Sequence, residues 1–119
     1  MPNKYDTVLE IFKQLEDCKI CCKVSVIQCM NSKHVQQLVP CMKACLECIE
    51  VCDVTQYFIA ARSKNVKQAI SFCLAVLKTC IKECEKAVFD SHLKKVNKET
   101  TAKACKVFMA TLKKFKNKL

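Results

Sequence analysis

A chain of 119 residues with 51% hydrophobic side chains amounts to about one domain. It contains no Gly, so it cannot build a Gly-rich phosphate loop, and a doubly wound nucleotide fold or a tight-turned β-sandwich is equally out of reach. The net charge of +10 points toward nucleic acid, but the lysines are dispersed and only Lys113, Lys114, Lys116 and Lys118 form a dense group, which reads as a solvated face.

The N-terminal stretch MPNKYDTVLEIF carries no basic region followed by an apolar run, and the strongly apolar stretch 69–77 is far shorter than the roughly 20 residues of a membrane span. A cytoplasmic protein with reduced thiols is the expectation. Helical periodicity predicts a first helix over 4–30, with Val8, Ile11, Phe12, Leu15, Cys18, Cys22 and Cys29 on one stripe. Asn31, Ser32, Lys33 and His34 break it. A second helix is predicted over 38–61, with Pro40 in its first turn. A third follows over 64–89 with Ser63 as N-cap, and a fourth over 98–116 with Asn97 as cap. Four long helices with short connections predict an all-α, antiparallel, up-down-up-down four-helix bundle in a single domain.

The 12 cysteines repeat in register. On a template of offsets 0, 4, 7 and 11, the first helix reads Cys18, Cys22, Ser25, Cys29; the second Cys41, Cys45, Cys48, Cys52; the third Cys73, Leu77, Cys80, Cys84. At about 100° per residue these offsets fall within an arc of about 60°, so each set faces one way and continues its helix's apolar stripe. The fourth helix offers Cys105, followed by Met109 and Leu112. The thiols are expected to point into the bundle.

Three uses of such thiols compete. Packing alone accounts for one or two cysteines, not for a repeated stripe. Disulfides fit poorly along one helix, because i,i+4 neighbours have Cβ atoms about 5–6 Å apart where a disulfide wants about 3.5–4.5 Å. A metal ion supplies the missing middle atom. Zinc and iron–sulfur sites favour loop-borne cysteines that converge on four corners, whereas soft Cu(I) is selected by thiolate and thioether ligands and accepts few of them. The candidate ligands are Cys18, Cys21, Cys22, Cys29, Cys41, Cys45, Cys48, Cys52, Cys73, Cys80, Cys84 and Cys105, with Met109 peripheral and His34 and His92 in the connections. Many ions in one dry core mean storage or buffering, and no enzyme is expected; the only arrangement suggesting one is a Cys–His pair of Cys84 with His92.

The strings CMKACLECIEVC, CLAVLKTCIKEC and CKICC resemble those of the bacterial four-helix-bundle copper storage proteins, over most of the chain. The resemblance implies a homotetramer of bundles, each core taking up many Cu(I) ions through cysteine side chains, and a cytosolic location for members without an export signal. Two departures from that pattern are the single Cys105 in the last helix and the single His92 before it.

In an antiparallel bundle the first and third connections share one end. That end would collect Cys29, Met30, His34, Cys41, Met42, Cys84 and His92, a metal entrance, with Met30 and Met42 as helix-packing residues. The other would collect Val8, Ile11, Phe12, Leu15, Phe58, Ile59, Val66, Ile70, Leu112 and Phe115, an apolar plug. Two other readings stand beside copper storage: a disulfide-stapled helical interaction module, and a lysine-rich helical protein that binds nucleic acid.

Overall fold

The computed structural model describes residues 3–87 and 94–119. Asn3 starts the first helix, its Oδ1 accepting the Asp6 backbone N–H at 2.9 Å, with the Asp6 carboxylate in the first turn where the helix dipole favours it. From there α1 (Lys4–Met30) runs for 27 residues, as the periodicity predicts. The expected break follows, but its second half winds into a 3-10 turn, Val35–Leu38, that leads directly into α2 (Val39–Ala60). Pro40 occupies the first turn of α2, where its missing N–H would have had no partner in any case.

The α2–α3 connection has to turn sharply without glycine. Arg62 does so at φ 53°, in the left-handed region, and a Schellman pattern closes around it. The Arg62 N–H donates to the Ile59 carbonyl at 3.1 Å, and the Ser63 N–H to the Phe58 carbonyl at 3.1 Å. Ser63 does not cap α3 as expected: its Oγ accepts from the Asn65 N–H at 3.0 Å, and Asn65 occupies the cap position of α3 (Val66–Lys86) without a side-chain bond to the helix. The predicted end of this helix at 89 lies outside the described residues.

The fourth helix begins earlier and differently than expected. A π-helical segment, Lys94–Thr101, passes into α4 (Ala102–Asn117) with Thr101 already in helical geometry. Asn97 is therefore no cap; it lies inside the π segment and is fully buried.

The helices form an elongated bundle of 46 × 26 × 18 Å, close to the length of about 40 Å that 27 residues at 1.5 Å each give α1. α1 packs against α2 and α4, and α3 against the same two, while the backbones of the diagonal pairs stay apart and meet only through side chains on the axis: the order of an up-down-up-down bundle. No strand occurs among the described residues, and none of their helices is long and apolar enough to cross a membrane. Ion pairs brace neighbouring helices from outside, Lys19 with Asp53 between α1 and α2, and Lys106 with Glu85 at 2.9 Å between α4 and α3. The interior has two halves. Ile11, Leu15, Ile70, Phe108, Leu112 and Phe115 fill one end, with Ile59 beside them and Val8, Phe12 and Val66 packed against them; the rest is rich in sulfur, with Leu38, Leu77 and Ile81 buried among the thiols.

Candidate metal centre

Eleven of the twelve cysteines are buried, and none is in a disulfide. The register seen in the sequence explains the burial: every cysteine on the 0, 4, 7, 11 template faces the bundle axis, together with Ser25 and Leu77, which share that template and are also fully buried. Cys105 joins them from α4, so all four helices contribute sulfur.

The sulfurs make a column. At its apolar end Cys52 faces Cys73. The next layer brings Cys18 to 3.2 Å from Cys105 and 3.8 Å from Cys48. Cys22 stands 3.9 Å from Cys80, and Cys80 is 3.9 Å from Cys45. Cys84 then lies 3.7 Å from Cys45 and 4.0 Å from Cys41. Cys29 closes the column beside Cys41. From Cys18 to Cys29, eleven residues of one helix, the axial run is about 16 Å.

Three groups within the column have all sulfurs within 4.8 Å of one another: Cys18, Cys22, Cys48 and Cys105; Cys22, Cys45 and Cys80; Cys41, Cys45 and Cys84. Metal–thiolate bonds of about 2.3 Å place two sulfurs across one ion no more than about 4.6 Å apart, so the groups are of the right size to hold ions. They also overlap. Cys22 belongs to the first and second groups and Cys45 to the second and third. An ion in one group therefore shares a ligand with its neighbour, which separate four-cysteine zinc sites do not do.

Electrostatics follows from packing thiols against thiols. Some sulfurs accept S–H bonds and hold their protons weakly; others donate and hold them tightly. Cys18 lies far below the ordinary thiol range, chiefly because Cys105 donates to it, and Cys80 lies low for the same first reason. Cys45 is held at about 6, first by Cys22, and Cys73 is lowered by Cys52. Their partners move the other way. Cys105 and Cys52 are raised, each first by Cys18; Cys22 is raised first by Cys105, Cys84 by Cys41, and Cys29 by Cys41. Lowered and raised sulfurs thus stand side by side in the column, and metal binding has to displace the protons that the raised ones retain.

Not every expected ligand joins the column. Cys21 is only half-buried and lies off the template, in a groove between α1 and α4 lined by Asp17, Ile20, Thr100, Lys103 and Val107; burial pushes its thiol up. His34 is half-buried in the α1–α2 connection, its backbone N–H donating to Ser32 Oγ at 3.0 Å, and it belongs to none of the three sulfur groups. Met109 is half-buried and packs against the core. Met42 packs as expected, but Met30 is 63% exposed, because it falls on the outer face of the last turn of α1. His92 lies outside the described residues, and so does the Cys84–His92 pair.

Two residues of the site escaped the sequence reading, Asn97 and Thr101, both fully buried against the column. The signal available was their spacing, since Asn97, Thr101 and Cys105 are four apart in turn. Counted back from Cys105 with α-helical winding, Asn97 falls about 80° off the inner face. The π segment, with its wider i→i+5 winding, brings it back into line.

The family model Csp, copper storage protein, matches residues 4–117. No curated protein and no solved structure matches the chain. With nearly the whole sequence matched and its buried thiols gathered into overlapping groups that could hold metal, the chain belongs to the copper storage protein family.

Proposed function

We propose that this protein stores copper as Cu(I), with many ions per chain distributed along the sulfur column and neighbouring ions bridged by shared thiolates. The observation that carries this reading is the overlap of the three sulfur groups at Cys22 and Cys45. Soft thiolates select Cu(I), and its tolerance of two or three ligands suits groups of three and four sulfurs on rigid helices. The ligands in this reading are the eleven buried cysteines, with Met109 at the periphery and His34 at the end where copper enters.

Charge supports the same reading. Each bis-thiolate Cu(I) unit leaves a negative charge in the core, and a surface with a surplus of +10 offsets it in sign. The homotetramer and the cytoplasmic location are part of the proposal; free thiols throughout suit a reducing compartment. Overlapping groups of three and four sulfurs also weigh against a disulfide-stapled module, which joins thiols in pairs.

The test is anaerobic titration of the protein with Cu(I) against a competing chelator, followed by elemental analysis. About one ion per buried thiol is expected. Saturation at one or two ions per chain would end the storage reading.

A further inference from the structure

The sulfur column is interrupted on one side by a polar cluster. Ser25 takes the position on α1 where the cysteine register would continue, and Asn97 and Thr101 meet it from the π segment; all three are fully buried. Buried polar groups of this kind persist only when their hydrogen bonds are satisfied. Here the satisfaction has a direction.

Ser25 Oγ lies 2.6 Å from Asn97 Oδ1. An amide oxygen can only accept, so the Ser25 proton is committed to it. Thr101 Oγ1 has a single proton, which it shares between Ser25 Oγ at 2.7 Å and the Cys21 carbonyl at 3.1 Å. Asn97 Nδ2 points its two hydrogens at sulfur, 3.6 Å from Cys41 Sγ and 4.0 Å from Cys29 Sγ. The reversed amide would set a carbonyl oxygen against sulfurs that become anions when they bind metal.

We propose that Asn97 is a positioning residue for copper at the outer end of the column: its amide holds the sulfurs of Cys29 and Cys41 together and offsets the negative charge they take on with Cu(I). Hydrogen bonds to an ionised sulfur are about twice as strong as those to a neutral thiol, so the amide favours the loaded state over the empty one. The π winding is what allows this, since it carries Asn97 to the inner face; such segments recur at functional positions in other helices. Deeper sulfurs depend chiefly on one another, with the Thr55 hydroxyl beside Cys73. The inference rests on the copper storage reading.

The test resolves individual cysteines. The full-length protein is loaded anaerobically with Cu(I), challenged with increasing concentrations of a chromogenic Cu(I) chelator and pulsed with iodoacetamide, and alkylation is mapped by mass spectrometry. In Asn97→Leu the chelator concentration that exposes Cys29 and Cys41 should fall about tenfold or more, while Cys18, Cys48 and Cys105 keep wild-type protection. Asn97→Asp has the same shape without the donors. It should lose at least as much at pH 8, whereas a merely space-filling role would leave it near wild type.

Wild-type protection of Cys29 and Cys41 in the Asp variant would overturn the proposal. If loss of helical circular dichroism shows that neither variant folds, Ser25→Ala decides: it frees the amide to turn and should lower the same midpoint severalfold, and an unchanged midpoint would overturn the proposal. Saturation of the wild type at one or two ions would instead defeat the storage reading on which it rests.

Discussion

Removing a shared sulfur should cost more copper than removing an unshared one. Cys22→Ser takes the first group from four sulfurs to three and the second from three to two in a single step. Cys45→Ser does the same to the second and third groups. If ions share ligands, each variant should saturate about two ions below wild type; if every thiol served its own ion, each would lose about one. Cys21→Ser, outside the column, should lose none. The stability cost is bounded as well. A serine hydroxyl in this sulfur-lined interior costs about 1–3 kcal/mol, and each kcal/mol moves the melting temperature of a chain this size by about 3–6 °C. The bundle should stay folded on its apolar half, where Ile11, Leu15, Phe108 and Leu112 remain fully buried. Copper per chain is read by elemental analysis after gel filtration, and folding by thermal circular dichroism. A loss of only about one ion in Cys22→Ser and Cys45→Ser, or a loss in Cys21→Ser equal to theirs, would refute shared ligation.

Three further outcomes follow from particular residues. The copper-free protein should lose stability as pH rises above about 9. Cys22, Cys29, Cys52, Cys84 and Cys105 have folded pKa values raised above the unfolded value of 9.0, so their contribution is complete below that pH, and above it each favours unfolding by about 1.4 kcal/mol per pH unit. Cys45, lowered to about 6, contributes in the opposite sense, with stability present above 9 and lost as pH falls through about 6. Denaturant midpoints between pH 6 and 10.5 check both arms, and the copper-loaded protein should show little of the alkaline loss. Thr55→Val should raise the Cys73 thiol pKa and change the stability of the copper-free protein by no more than about 1 kcal/mol, because the buried Thr55 hydroxyl makes no close hydrogen bond and has the Cys73 thiol as its polar neighbour, a balance that denaturant midpoints check. Arg62→Gly should raise stability by up to about 1 kcal/mol in urea unfolding, since a side chain at φ 53° pays a steric cost that glycine does not.

Much of the site was legible because two periodicities coincide. Offsets of 4, 7 and 11 keep a residue on one face of an α-helix, and the apolar residues flanking the cysteines mark that face as the inner one. Cys18, Cys48, Cys80 and their neighbours could therefore be assigned to the core from spacing alone, and Cys21, next to Cys22, falls about 100° away. Capping preference misplaced Asn97. An Asn ahead of a helical run reads as its N-cap, and nothing in KKVNKETT announces that an i→i+5 segment already encloses it. Ser63 misled for a related reason. A serine before a helix caps it only if the chain enters at the right angle, and Arg62 in its left-handed conformation turns the Ser63 side chain toward the Asn65 N–H instead.

The sequence by itself determined that this protein is helical, that its thiols turn inward, and that one end of the interior is hydrocarbon and the rest rich in sulfur. Those are properties of single helices, set by backbone geometry and by which faces shun water. Only the tertiary structure decided which sulfurs meet: that Cys105 approaches Cys18 to 3.2 Å, that Cys22 and Cys45 each serve two groups, and that an amide closes on Cys29 and Cys41. Such pairings depend on the relative height and rotation of four packed helices. A repeat along one chain segment leaves both quantities free, and they are fixed only when the side chains of all four interlock.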